Sequence, residues 1–236
     1  MYTERDAEIV AWIGGLGAAG AEHVMERFVM GRSWAYARLS RLVLTGLLEQ
    51  RTLLYRQPGL YVATVQGLRW QGLERLGVYR ISPGSFQHAK QLAGVAVALH
   101  GRFAGWEVLS ERELRARESK TDELFGSVKL AELPGGRPAL HRPDLVLVAP
   151  ELEGRVVGVE LELSVKAPRR LAAICRGWAR ARHIDHVYYL AVPAAARALE
   201  RAIADTRAEH QITVLDVSDV DGVLRCEQGR CGNVPA

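Results

Sequence analysis

Gly158-Val159-Glu160-Leu161-Glu162-Leu163-Ser164-Val165-Lys166 alternates apolar and polar residues with the period of two that marks a β-strand. Glu160, Glu162, Ser164 and Lys166 then share one face, and Val159, Leu161, Leu163 and Val165 the other. Two carboxylates two residues apart are costly to bury unless a divalent cation, an arginine or solvent offsets them. Sixteen positions before Glu160, Arg142-Pro143-Asp144 opens another apolar run, so a second acidic residue stands at the start of a neighbouring strand.

Working outward from this pair, strands are expected over 144–148 and 156–163, joined by the acidic turn Glu151-Leu152-Glu153-Gly154. A helix follows over 168–182, then a strongly apolar strand over 187–192. Pro193 suits the first position of a helix running to about 209, and 212–217 is a last strand. Upstream, 86–103 reads as a helix with Leu92, Val95, Ala96 and Leu99 on one face. A strand over 106–109 and a charged helical turn over 111–117 come next. The polar stretch 118–141, with Pro134-Gly135-Gly136, reads as a long loop or extended hairpin. Strands alternating with helices imply a partly parallel sheet covered on both faces, an α/β domain over 86–218. Residues 219–236 read as an irregular tail.

The first 80 residues have a different character. Thr3 with Asp6 resembles a helix N-cap, followed by Ile9, Ile13 and Leu16 at helical spacing and by Gly14, Gly15 and Gly17 as terminators. A short second helix fits 19–28. Ser33 suits the N-cap of a third helix over 34–50, with Leu39, Leu42, Val43 and Leu47 as its apolar stripe. Strands over 52–55 and 60–65 flank Arg56-Gln57-Pro58-Gly59, a turn signal, and 67–77 reads as helical. Three helices and a hairpin in this order make a winged helix-turn-helix, whose third helix can enter a major groove. Arg32, Ser33, Trp34, Tyr36, Arg38 and Arg41 decorate that helix, and Arg51 and Arg56 flank the wing. They are the candidate DNA-binding set. The alternative is a winged helix that mediates protein contacts, with Trp34 and Tyr36 partly in its core. Ile81-Ser82-Pro83-Gly84-Ser85 reads as the domain boundary.

Composition agrees with an ordinary globular chain: 236 residues, 48% hydrophobic and 25% charged. The net charge of +4, carried in the main by arginine, suits an anionic partner without demanding one. No apolar run is long enough for a membrane span, and the charged start lacks the layout of a signal peptide, so a cytoplasmic location is expected. The three cysteines, Cys175, Cys226 and Cys231, suggest free thiols rather than a disulfide framework, and no zinc site. Gly14-Gly15-Leu16-Gly17 lacks the strand and the Lys-Ser/Thr of a phosphate loop. His183-Ile184-Asp185-His186 reads as a loop before a strand. Arg169, Arg170, Arg176, Arg180 and Arg182 form either a track for a DNA backbone or a solvated helix face. A salt-bridge set of Arg169, Arg170 or Arg176 with the glutamate pair is the structural alternative for the acidic strand.

Pro143-Asp144 followed by Glu160-Leu161-Glu162 resembles the PD-(D/E)XK nuclease signature. The resemblance implies Mg²⁺ or Mn²⁺ held by Asp144 and Glu160, with a lysine two residues on assisting the attacking water. Glu162 stands where that family has lysine. Lys166, on the same face if the strand continues, would supply the charge from a migrated position. Glu111 and Glu113 are candidates for a further acidic residue. Over about 3–217 the chain is also similar to the replication-relaxation family of plasmid and mobile-element proteins, which pairs a winged helix with a PD-(D/E)XK-like domain. Arg5-Asp6, the 33–50 helix, Tyr61-Val62-Ala63-Thr64-Val65-Gln66-Gly67, Arg142-Pro143-Asp144 and 160–166 carry that likeness. It implies sequence-specific binding of double-stranded DNA at an origin or transfer region, alone or as a homodimer, beside replication or transfer proteins. Three functions stay open: DNA binding with a degenerate nuclease fold, a metal-dependent endonuclease using Asp144, Glu160, Glu162 and Lys166, and a transcriptional regulator whose α/β domain dimerises or recruits a partner.

Overall fold

The computed structural model describes residues 2–132, 136, 138–150 and 154–229. Pro134-Gly135, the acidic turn Glu151-Leu152-Glu153 and Cys231 lie outside them. The chain is mixed α/β and divides into two compact units, Met1–Gly101 and Arg102–Ala236.

In the first unit, α1 (Glu4–Leu16) starts at a reciprocal cap: Asp6 N–H donates to Thr3 Oγ1 at 3.3 Å, and Thr3 N–H donates to Asp6 Oδ2 at 2.8 Å. Gly17, at φ 111, ends the helix in a conformation that side chains rarely adopt. Then come β1 (Ala18–Ala19), α2 (Ala21–Arg27), α3 (Arg32–Leu44), β2 (Leu48–Arg51), β3 (Leu60–Ala63), α4 (Val65–Trp70), a 3₁₀ turn at Glu74–Leu76, and α5 (Pro83–Arg102). The strands form an antiparallel sheet in the order β1-β3-β2, registered through Ala18↔Val62 and Leu48↔Ala63. Ile9, Val10, Ile13, Leu39, Leu42 and Leu47 are among its buried side chains. Gly67 lets α4 lie close to the chain entering β2: a Cβ there would stand 2.1 Å from the Leu47 carbonyl oxygen.

Three expectations for this unit need correction. The third helix does not reach Gln50: it begins at Arg32 with Gly31 as N-cap and stops at Leu44. Gly46 turns the chain at φ 74, and Leu48–Arg51 find backbone partners on β3 instead. Leu47 and Leu48 are buried, which is why an apolar stripe suggested more helix. The expected strand 52–55 belongs to the hairpin loop, where Leu53 and Leu54 cover a cluster of Ala18, Leu60, Val62, Phe86 and Ala89. That cluster also holds the start of α5 against the sheet, so the Pro83-Gly84 break opens a helix of the first unit, and the units divide at Gly101.

The second unit contains β4 (Glu107–Ser110), α6 (Glu111–Thr121), the hairpin β5 (Val128–Glu132) and β6 (Pro138–His141), β7 (Leu145–Val148), β8 (Val156–Glu162), α7 (Pro168–Arg180), β9 (His186–Ala191), α8 (Pro193–Thr206), β10 (Ile212–Asp216) and α9 (Val220–Glu227). Five strands form one sheet in the order β10-β9-β8-β7-β4. The β4–β7 and β7–β8 pairs are antiparallel, and β8–β9 and β9–β10 are parallel. The sheet is therefore partly parallel, as the alternation of strands and helices implied. Leu171, Ile174 and Trp178 of α7 and Leu199 and Ile203 of α8 join Val146, Val187, Tyr189 and Ile212 in its main core.

The tail is not irregular throughout. Asp219 caps α9 by accepting from Gly222 N–H at 3.0 Å, and Val223 is fully buried. Glu227 accepts from Tyr188 Oη at 2.7 Å and lies 3.1 Å from Arg155 Nε. Cys175 is a free buried thiol. Among the described residues no helix is long and apolar enough to cross a membrane.

Candidate functional site

Strand register places the acidic residues. The β7–β8 ladder runs from Val148↔Val156 to Leu145↔Val159, so Asp144 stands one step beyond its last pair, opposite Glu160. Asp144 Oδ2 accepts from Leu161 N–H at 2.8 Å, which fixes the carboxyl at the end of the ladder. On the other side of β8, Glu160 is registered with Tyr189. Directly opposite residues share a face, so Asp144, Glu160 and Tyr189 form a row across three strands. Glu162, two residues on, lies on the same face. Both glutamates are buried.

Neither glutamate is left without a partner. His141 Nε2 lies 2.5 Å from Glu160 Oε1, and Lys166 Nζ bonds Glu162 Oε2. Burial pushes the Glu160 pKa up and the Asp144 charge adds to this, while His141 and Lys166 pull against it; the net shift is upward. Tyr189 Oη accepts from Trp178 Nε1 at 3.0 Å, and burial together with Glu160 raises the tyrosine well above its ordinary pKa. Trp178 in turn meets the His141 ring edge-on, with centroids 5.5 Å apart.

His141 was not among the residues singled out from sequence. It ends β6, and β5–β6 is the structured part of the stretch read as a loop or extended hairpin. A second unforeseen residue, a carboxylate, holds this region. Glu118, buried on α6, accepts from the N–H groups of Phe125, Gly126 and Ser127 at 3.0, 3.2 and 2.9 Å. It also accepts from Ser127 Oγ at 2.5 Å and from Arg142 Nε at 3.2 Å. Burial acts to raise its pKa, but the Ser127 hydroxyl and the three amides outweigh burial and leave it lowered.

Lys166 reaches the acidic strand by a different route from the one expected. The strand stops at Glu162, and Lys166 returns to it from the connection before α7. Arg169, Arg170 and Arg176 are exposed and take no part in offsetting the glutamates; with Arg180 and Arg182 they carry no ion pair among the described residues. Glu111 forms an ion pair with Arg115 at 2.6 Å. Glu113 is spent on the α6 cap, accepting from Ser110 N–H at 2.9 Å, and burial raises its pKa. His183 and His186 bond the Ser127 carbonyl and the Thr213 hydroxyl at 2.9 and 2.8 Å.

Among the described residues no group of three or more His, Cys, Asp and Glu side chains has the geometry of a metal cage. A cation held by only two carboxylates, with water and substrate oxygens completing its shell, is the usual arrangement for Mg²⁺. The donor chemistry of Asp144 and Glu160 fits that case. His141 would have to yield or share Glu160 Oε1.

In the first unit, the candidate DNA-binding residues separate into two groups. Arg38 Nη1 donates to Asp6 Oδ1 at 2.6 Å and Arg41 Nη2 to Asp6 Oδ2 at 2.7 Å, the aspartate being fully buried. Arg51 pairs with Glu49 at 2.7 Å. Arg32, Ser33, Trp34, Tyr36 and Arg56 remain exposed. In comparison with known proteins, no family model, no curated protein and no solved structure matches this chain.

Proposed function

We propose that the chain binds double-stranded DNA through a winged helix in its first unit, and that its second unit is a PD-(D/E)XK-like domain of the replication-relaxation type. One observation carries the reading. The elements run helix, strand, helix, helix, hairpin, with an antiparallel β1-β3-β2 sheet and a third helix that keeps one whole side in solvent. That is the arrangement in which a helix is presented to a groove and a hairpin to the flanking backbone. The exposed arginines of α7, which carry no ion pair among the described residues, support a polyanion partner as well. Fluorescence anisotropy with a labelled duplex tests the proposal: affinity should fall steeply between about 50 and 200 mM salt. Absence of salt-dependent binding would end it.

The row Asp144–Glu160 favours a second reading, an Mg²⁺- or Mn²⁺-dependent DNA endonuclease. Asp144 and Glu160 would hold the ion, which supplies Lewis acidity at a scissile phosphate. Lys166, held on Glu162, would place a positive charge beside the row. Titration calorimetry should detect Mn²⁺ binding that Asp144→Ala abolishes, together with metal-dependent nicking of supercoiled plasmid. Equal nicking by wild type and an Asp144→Ala, Glu160→Ala double variant would rule this reading out.

A further inference from the structure

Asp6 engages the guanidinium groups of Arg38 and Arg41 of α3 in ion pairs, with Arg41 staying 45% exposed. Besides Arg32 and Arg41, the exposed side of the helix carries short or aromatic side chains. Its crest carries Ser33, Ala37, Ser40 and Leu44, all exposed, at the spacing of a single helical row. Its flanks carry rings: Trp34 is 71% exposed and Tyr36 39%. In the loop between β2 and β3, Tyr55 is 86% exposed. Exposed aromatic rings on α3 and on the neighbouring loop are the residue type enriched at contact surfaces.

Two of these rings have a cation beside them. The Arg32 guanidinium lies 5.6 Å from the Tyr36 ring centroid and the Arg56 guanidinium 5.1 Å from that of Tyr55. Neither arginine has a carboxylate partner among the described residues. An aromatic face stacks a base of any identity, and a free guanidinium beside it takes a phosphate. Inside an intact duplex both faces of every base are covered by neighbouring bases. A face becomes available only where bases are unpaired or turned out of the stack.

We infer that the first unit binds DNA carrying unpaired bases, such as a duplex that ends in a single-stranded tail. Trp34, Tyr36 and Tyr55 serve as stacking rings, and Arg32 and Arg56 as phosphate contacts. The inference rests on the DNA-binding reading and narrows it. The unneutralised arginines call for an anion, and the flat rings call for a partner with π-faces. Single-stranded DNA supplies both, whereas an acidic peptide supplies only the charge.

The test uses the full chain and three labelled ligands: a blunt duplex, the same duplex with a single-stranded thymidine tail, and an acidic peptide. The tailed duplex should bind about tenfold tighter than the blunt one. Tyr55→Ala should remove most of that advantage while leaving blunt-duplex affinity unchanged, Trp34→Ala should weaken the tailed ligand more than the blunt one, and Trp34→Phe should keep the advantage. Equal affinity for tailed and blunt duplex overturns the inference and leaves duplex binding standing. An equal loss on both ligands in Trp34→Ala overturns it too, since the ring would then serve the duplex or the fold. Binding of the peptide in preference to either DNA overturns it in favour of a protein partner. Failure of both DNA ligands to bind brings down the DNA-binding reading itself.

Discussion

Glu118→Ala should destabilise the second unit by about 3–5 kcal/mol, the cost of removing one partner from a buried charged network. The side chain accepts from three consecutive amides, one hydroxyl and one guanidinium, and alanine leaves all five donors unmatched. The damage should be local as well as global. Residues 125–127 lead into β5, and β5 pairs with the strand that ends in His141. Loosening that hairpin would free Glu160 from its imidazole partner. Amide hydrogen exchange at Phe125, Gly126 and Ser127 should accelerate more than exchange on β8 and β9. Equal protection at those amides in wild type and variant would show that the carboxylate does not hold the loop.

The same residue gives a pH signature whose sign is determined by its lowered pKa. Its stabilising contribution is complete above the ordinary glutamate value of 4.5 and is lost as pH falls through the lower folded-state value. Glu118→Gln should therefore be less stable than wild type at neutral pH, and the gap between them should narrow on acidification. Urea midpoints measured from pH 7 down to pH 3 would reveal this. A constant gap would assign the effect to packing.

The acidic row and the residues that hold it were unequally legible in the sequence. Period-two alternation and the run 144–148 exposed β7 and β8, so Asp144 and Glu160 could be set on neighbouring strands without coordinates. His141 could not be found that way, because it lies in a polar stretch without periodicity and meets Glu160 only once the hairpin folds back. Glu118 opens the polar stretch that reads as a loop, yet it lies on α6, and its burial depends on a segment seven to nine residues further on. Lys166 was expected to share a face by strand periodicity, but the strand ends four residues before it and the lysine reaches Glu162 across a turn. In the first unit, local signals found the cap at Thr3 and Asp6. They could not reveal that Asp6 also binds arginines 32 and 35 positions away. For α9, a single buried valine and one cap were too little signal against a polar background.

Asp6→Asn should separate stability from DNA binding. The aspartate accepts from Arg38, Arg41, the Thr3 amide and the Thr3 hydroxyl at 2.6–2.9 Å. Burial pushes its pKa up, yet the Thr3 amide and Arg38 outweigh burial and leave it lowered, so the carboxylate is charged at neutral pH. Its neutral isostere removes the charge from both ion pairs, and the loss should be about 2–4 kcal/mol. That is less than for a fully buried network, because the half-exposed Arg41 regains water. The contribution is present above the ordinary aspartate value of 3.8 and disappears as pH falls through the lower folded-state value. Arg38 and Arg41, released from the Asp6 charge, would add positive charge to the helix proposed to face DNA. Each phosphate they reach should steepen the dependence of log affinity on log salt by about 0.9. At low salt, well below its unfolding temperature, the less stable variant should therefore bind duplex DNA more tightly than wild type. If affinity instead falls in step with stability and the salt slope stays the same, Arg38 and Arg41 serve only the fold and the DNA surface ends at Arg32, Trp34 and Tyr36.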